Sequence, residues 1–540
     1  MFGAGGGTSS YQEIEETDLI VMWGSNAREA HPIFFHHVLK GVRNGARMFA
    51  VDPRRTSTAA WADVWLGIDV GSDIALANAV GREIIEQGLH NREFIEHATD
   101  HFDEYAAAVD SYTLERGSEI TGVPAPAIQE LAHAYGTAET AQICWTLGIT
   151  EHHNATDNVL ALINLALLTG HVGRYGSGLV PVRGQNNVQG GGDMGALPNK
   201  LPGFQDVEHP EHREKCEAVW GCVVPPEAGW HISRMHEAMD EGLLKCLYVL
   251  GENPLQSEAD AKKMRERLDG LEFMVVQDIF LTATAELADV VFPAAGWGES
   301  EGTFTSSERR VQRVRKAIDP PGEALADIEI LSRLARAMGH DFPTPTPEDA
   351  WDELRVVSPL HGGMSYERLE AMGGIQWPCP DEESNGELFL HGRLWERPVT
   401  TRKAPFHSVE YAAPVDELTD EFPTRLTTGR RLDSFNTGVQ SGRYSSPRRI
   451  AGVLDLSPED GASLGVAEGD QVRVTSRRGS LEAPVRFDRS LRPGLAFMSV
   501  HFPDATDVNV LTVDAWDPKS GTAEFKATAI RVEPIGAVTT

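Results

Sequence analysis

Cysteine is scarce. Only Cys144, Cys216, Cys222, Cys246 and Cys379 occur in 540 residues, which excludes a disulfide scaffold and fits a reducing cytoplasm. No pair is spaced Cys-x-x-Cys, so the motif for an iron–sulfur cluster held by this chain alone is missing. His209, His212, Cys216 and Cys222 crowd one stretch, but their spacing matches no common zinc module and reads as charged surface. Long apolar runs are also missing. The longest, residues 159–168, is interrupted by Asn164 and falls short of the ~20 residues of a membrane helix. The first seven residues lack a basic region ahead of an apolar core, so no signal peptide is expected. Positive charge is in deficit, with 48 Lys and Arg against 80 Asp and Glu and a net charge of −32. Nucleic acid and anionic membrane surfaces are therefore poor partners. Hydrophobic residues at 41% and charged residues at 24% exclude wholesale disorder.

What is present is a repeated plan. Residues 18–23 read as a buried strand, followed by the turn Gly24-Ser25-Asn26 and a helix starting near His31-Pro32. Residues 47–51 form a second strand ending in Asp52-Pro53-Arg54, and residues 62–66 a third, followed by Gly71-Ser72-Asp73. The plan returns at residues 246–250 with Gly251-Glu252-Asn253, at 273–276 with Gln277-Asp278, and at 288–292. Gly251, Asp278 and Asp289 lie 227, 226 and 226 residues after Gly24, Asp52 and Asp63. Such alternation predicts parallel sheets with crossover helices and a structural duplication. A glycine turn after a first strand lets phosphate approach backbone N–H groups. An acid ending the second strand accepts from ribose hydroxyls or a guanine edge. Alternatively, the glycines only turn the chain and the aspartates only cap helices. Neither turn reads Gly-x-Gly-x-x-Gly, so the NAD fingerprint is absent.

Residues 143–148 predict another strand with a glycine exit, and residues 159–168 a buried helix closed by Gly170. Residues 181–195 are too polar for a core and too rich in glycine for a regular element. Their amides and single arginine suit a small anion. Residues 298–312 form a second dense polar run, whose Gly302-Thr303 is expected to touch a ligand through its backbone. Residues 340–415, rich in proline and acids, read as irregular covering and linker. From Phe422 short strands and glycine turns predict a closed β-barrel.

These motifs resemble the molybdenum- or tungsten-dependent oxidoreductases that carry two molybdopterin guanine dinucleotides, and among them the formate dehydrogenase catalytic subunits. Val182-Arg183-Gly184-Gln185-Asn186-Asn187-Val188-Gln189-Gly190 is similar to the formate-specific segment. Glu301-Gly302-Thr303-Phe304 through Glu308-Arg309-Arg310-Val311-Gln312 is similar to the superfamily hallmark. The resemblance implies an α/β fold with two pseudo-repeated parallel-sheet nucleotide-binding domains and a C-terminal double-psi β-barrel. It divides the chain into residues 1–185, 186–298, 299–415 and 416–540, with the N-terminal part of the second α/β domain missing. By resemblance, Gly24, Ser25, Asn26, Asp52, Arg54 and Asp73 line one cofactor, and Gly251, Glu252, Asn253, Gln277 and Asp278 the other. Gly148 and Gln185 lie near the centre, and Gly429, Arg430, Asn436, Thr437, Asn509 and Lys526 contact cofactor from the barrel. Arg183 would bind the carboxylate of formate, which is oxidised to carbon dioxide, with electrons passed to an acceptor subunit or protein.

The family begins with a [4Fe–4S] domain, then a metal-ligating cysteine or selenocysteine followed by histidine. None of the five cysteines sits in that context, so no residue of this sequence is assigned to the metal, and the cluster is expected only in a full-length version. Two readings result: a formate dehydrogenase catalytic subunit shortened at its N-terminus and inactive as it stands, or a short paralogue that binds or carries the cofactor.

Overall fold

The computed structural model describes residues 5–399, 401–432, 434, 436, 437 and 452–535. The first unit alternates strand and helix: β1 (Leu19–Trp23), α1 (Pro32–Arg43), β2 (Arg47–Val51), β3 (Val64–Leu66), α2 (Asp73–Glu86), β4 (Ala141–Trp145), α3 (Ala155–Thr169) and β5 (Gly178–Pro181). The strands form one parallel sheet in the order β3-β2-β1-β4-β5. Every residue of β1 and β4 is buried, as expected of central parallel strands covered on both faces. Ile74, Val80, Leu162 and Leu165 pack one face, and Phe34, Phe35 and Val38 of α1 pack the other. Gly170, in the left-handed region at φ 73, closes α3.

Next come α4 (Val188–Asp193), then β6 (Cys246–Leu250), α5 (Ala261–Asp269), β7 (Phe273–Asp278) and β8 (Val290–Pro293). These strands form a parallel sheet in the order β8-β7-β6, which repeats β3-β2-β1. Beyond β6, where β1 has β4 and β5, no strand is added among the described residues. Val249, Met264, Leu268, Met274 and Val276 form its core.

Three expectations for the middle of the chain change. Within residues 181–195, α4 is helical despite three glycines, because tertiary bonds hold it: Asn187 Oδ1 accepts from Thr305 N at 2.8 Å and Gly203 N donates to Asp193 O at 2.7 Å. The second polar run is built around a β-hairpin, β9 (Gly302–Thr305) and β10 (Arg310–Val314), and none of residues 298–312 lines either crevice described below. Residues 340–415 include two helices, α6 (Pro347–Val357) and α7 (Tyr366–Met372), and a strand, β11 (Ile375–Gln376). Val311, Trp351, Leu369, Ile375 and Trp377 give this region its own core.

Six C-terminal strands, β12 (Thr424–Gly429), β13 (Leu454–Leu456), β14 (Gln471–Thr475), β15 (Ser480–Phe487), β16 (Leu495–Ser499) and β17 (Thr528–Pro534), close a barrel in the order β12-β16-β13-β15-β14-β17. Pairs β12–β16 and β13–β15 are parallel. The barrel seals against the first unit: the Arg54 guanidinium lies 3.7 Å over the Phe497 ring, and buried Glu524 accepts from His153 N at 3.0 Å.

Candidate functional site: two crevices against one barrel

The duplication holds at the level of single hydrogen bonds. Gly24 and Gly251 both take positive φ, 58 and 64, and donate to the carbonyls of Val51 and Gln277 at 2.8 Å in each case. Asn26 Oδ1 accepts from Thr58 N at 3.3 Å and Oγ1 at 2.9 Å. Asn253 Oδ1 accepts from Thr284 N at 3.2 Å and Oγ1 at 2.8 Å. Asp52 Oδ1 accepts from Arg54 N at 2.9 Å, and Asp278 Oδ1 from Phe280 N at 3.0 Å. Asp63 and Asp289 cap the starts of β2 and β7, accepting from Met48 N at 2.8 Å and Met274 N at 2.7 Å. Each asparagine thus latches its glycine turn to the segment after the second strand. Each strand-end aspartate spends one oxygen on its own turn.

At the strand C-termini of the first unit, a narrow crevice of about 110 Å³ is lined by Gly24, Asn26, Asp52, Arg54, Asp73 and Gly148. Ser25 is brought to the turn but faces inward, with its Oγ buried and unpartnered. Gly148 is required by close approach: a Cβ there would lie 2.5 Å from Gly24 O. Burial pushes the Asp52 carboxyl up to about 6, against Arg54, which draws it down. Burial also raises Asp73, whose Oδ1 accepts from Trp23 Nε1 at 2.8 Å.

Two histidines line this crevice that sequence reasoning missed, His31 and His152. His31 Nε2 donates to Arg183 O at 2.7 Å, which leaves Nδ1 as a buried acceptor without a protein partner. Burial brings His31 down to about 4, so the ring is neutral. For His152, burial works against the charged form, but Glu524 outweighs it and raises the pKa. No local signal marks that pair, which is 372 residues apart in sequence.

The second crevice holds about 680 Å³, within the range of ligand cavities. Gly251, Glu252, Asn253, Gln277 and Asp278 line it from the second unit, and Asn436, Thr437 and Asn509 from the barrel. Gln277 is fully buried and held by Tyr248 OH at 2.6 Å and Asp327 Oδ1 at 2.5 Å. Burial together with Glu252 pushes Glu258, another lining residue missed from sequence, up to about 7. Leu147, Thr428, Gly429, Arg430 and Lys526 line both crevices. Lys526 Nζ pairs with Glu151 at 2.5 Å.

The segment after β5 lies where the crevices meet: Gly184 lines the first and Gln185 the second. The adjacent Arg183 side chain lines neither. It is half-buried, with Nε donating to Gln189 Oε1 at 2.7 Å and Nη2 to Gly5 O at 2.7 Å. Its own N–H donates to Ser307 Oγ at 2.9 Å, tying it to the hairpin. In that hairpin Arg309 is fully buried, at φ 68, and donates to the carbonyls of Gly7, Trp377, Glu387 and Leu388. Burial lowers it to about 10, with Glu13 and Glu308 opposing. The Glu308-Arg309-Arg310 run therefore fastens three chain segments together.

The donor set of both crevices suits the groups of a dinucleotide, and the second has the volume of a ligand cavity. The cations Arg54, Arg430 and Lys526 suit pyrophosphate, and the strand-end carboxylates suit nucleoside hydroxyl and amino groups. Among the described residues no group of three or more His, Cys, Asp or Glu could hold a metal ion, and no helix is long and apolar enough to cross a membrane.

Comparison with known proteins agrees. Residues 4–337 match the molybdopterin oxidoreductase family, and residues 424–529 the molydopterin dinucleotide binding domain. The chain is 42% identical to the F420-dependent formate dehydrogenase 2 subunit alpha of Methanococcus maripaludis, over 99% of this chain and 79% of that protein. It is 37% identical to formate dehydrogenase H of Escherichia coli, over 99% of this chain and 75% of that one. The acetylene hydratase from Pelobacter acetylenicus shares the fold, with a TM-score of 0.75 at 21% identity, over 99% of this chain and 80% of that chain. From the repeated turns to the shared barrel wall, then, the chain is an enzyme of the molybdopterin oxidoreductase family, with a molybdopterin dinucleotide as its cofactor.

Proposed function

We propose that the protein is the catalytic subunit of a formate dehydrogenase, oxidising formate to carbon dioxide. The observation that carries this reading is the junction of the two crevices at Gly184-Gln185, with Arg183 beside it. Two molybdopterin guanine dinucleotides would be held by the residues that line the crevices and, when bound, would supply the molybdenum or tungsten redox chemistry. The residues of the chain bind and orient. Asp52 and Asp278 each offer one free carboxylate oxygen to a guanosine, and Arg430 and Lys526 balance phosphate charge between the halves. Arg183 receives the carboxylate of formate: Nη1, which has no partner among the described residues, and the remaining Nη2 N–H form a planar pair of donors that matches two oxygens. The relatives named as F420-dependent dehydrogenase subunits support an acceptor subunit as the partner that takes the electrons.

The test is formate-dependent reduction of a viologen dye by a cofactor-loaded, full-length version that carries the metal-ligating residue. Arg183→Lys keeps the charge but loses the fork. It is expected to lower kcat/KM by about 10–150-fold, the equivalent of ~1.5–3 kcal/mol, at unchanged guanine nucleotide content. An unaltered kcat/KM removes Arg183 from the site. Dye reduction that ignores formate removes the reading.

A further inference from the structure

A buried relay leads from Arg183 away from the crevices. Arg183 Nε donates to Gln189 Oε1 at 2.7 Å. Gln189 Nε2 donates to Asp193 Oδ1 at 2.7 Å and to Gly5 O at 3.2 Å. Trp377 Nε1 donates to the other Asp193 oxygen at 2.8 Å. Gln189 and Asp193 are one turn apart on α4, 1% and 0% exposed, and Trp377 is 0% exposed. A glutamine amide has a donor end and an acceptor end, and its neighbours decide which way it faces. Here a carboxylate and a carbonyl, both acceptors, take the NH2 end. Oε1 is thereby turned toward the guanidinium. The indole can only donate, so it occupies the second carboxylate oxygen and fixes the plane of Asp193.

We propose that Asp193 is a positioning residue for Arg183: by orienting the Gln189 amide, it holds the guanidinium in one pose beside the junction of the crevices. The inference rests on the reading of Arg183 as the formate-binding residue.

Asp193→Asn puts an NH2 where two donors converge. If it faces Gln189, the glutamine turns over and presents its own NH2 to Arg183 Nε. If it faces Trp377, the indole N–H loses its acceptor. Adding Gln189→Glu restores the two bonds of the relay at the loss of the Gly5 contact, because the new carboxylate accepts from the guanidinium on one oxygen and from the new amide on the other, while the second oxygen now faces the Gly5 carbonyl. In the cofactor-loaded enzyme, Asp193→Asn is expected to raise KM for formate about 10–100-fold, with a smaller fall in kcat and unchanged guanine nucleotide content. The double variant is expected within about fivefold of wild type, a rescue that a purely structural role does not give. Wild-type KM in Asp193→Asn, or a double variant no better than the single one, overturns the proposal. If Asp193→Asn does not fold, Gln189→Leu takes its place: the same rise in KM supports the relay, and an unchanged KM overturns it. A crystal structure of the variant separates the two readings. Formate turnover with an unmoved Arg183 sinks the relay alone. A displaced Arg183 in an enzyme whose wild type ignores formate sinks the formate reading alone.

Discussion

At the scale of the residue, the paired aspartates carry the clearest consequence. Asp52 and Asp278 occupy equivalent strand ends and bond equivalent turns. If both bind guanosine, Asp52→Ala and Asp278→Ala each remove charge-assisted bonds worth ~1.5–3 kcal/mol. Extraction of guanine nucleotide from each variant is expected to show reduced occupancy; full occupancy in both would leave them as turn caps only. Glu13 makes a separate prediction. It is fully buried, accepting from Ser10 N, Ser10 Oγ and Gly176 N at 2.5, 2.8 and 3.0 Å. Burial nevertheless raises it from 4.5 to about 7, against these donors. The native state therefore keeps this proton to higher pH than the unfolded chain. Its contribution to stability is full below pH 4.5 and is lost as pH rises through 7. Glu13→Gln removes that dependence, so the stability of the variant relative to wild type is expected to climb by ~2–3 kcal/mol between about pH 4 and pH 8. Urea titrations at both ends check it, and a constant difference refutes it.

Elements were legible in the sequence where one physical demand dominated. The strand cores read correctly because central parallel strands must be apolar on both faces, and the repeat was visible because each strand end needs the same glycine and acid. The barrel followed from short strands between glycine turns. Helix α4 was hidden because three glycines lower its propensity, and its support comes from Thr305 and Gly203. Helices α6 and α7 did carry signals, Thr346 with Asp349 in a capping box and Ser365 as an N-cap, but proline and acids obscured them. The site divides similarly. Lining residues at strand ends were readable, whereas His31, His152 and Glu258 enter through packing alone. The glycine crossing at Gly24 and Gly148 also belongs to this scale. Gly148→Ala forces a Cβ against the Gly24 backbone, with an expected cost of about 1–3 kcal/mol. Gly191→Ala, with nothing within 4 Å on α4, is expected to be neutral or stabilising by up to about 1 kcal/mol. Denaturant midpoints of the two variants decide, and equal values would mean the crossing relaxes freely.

At the scale of the whole molecule, the barrel is what unites the two halves of the repeat. Arg54 stacks on Phe497, Glu524 anchors the His152–His153 turn, and on the other side Arg267 of α5 bonds Asp514 at 2.9 Å. Both α/β units thereby bond the same barrel. The end of β12, Thr428-Gly429-Arg430, together with Lys526 walls both crevices at once. That shared wall has a consequence for how the enzyme is assembled. A single panel closing two compartments links them, so filling is expected to be concerted. Native mass spectrometry during loading is expected to give two species, bare protein and protein holding two dinucleotides, with little between; a dominant one-dinucleotide species would show that the compartments fill independently. The barrel would then act as a checkpoint on maturation, releasing only molecules whose inventory of cofactor is complete.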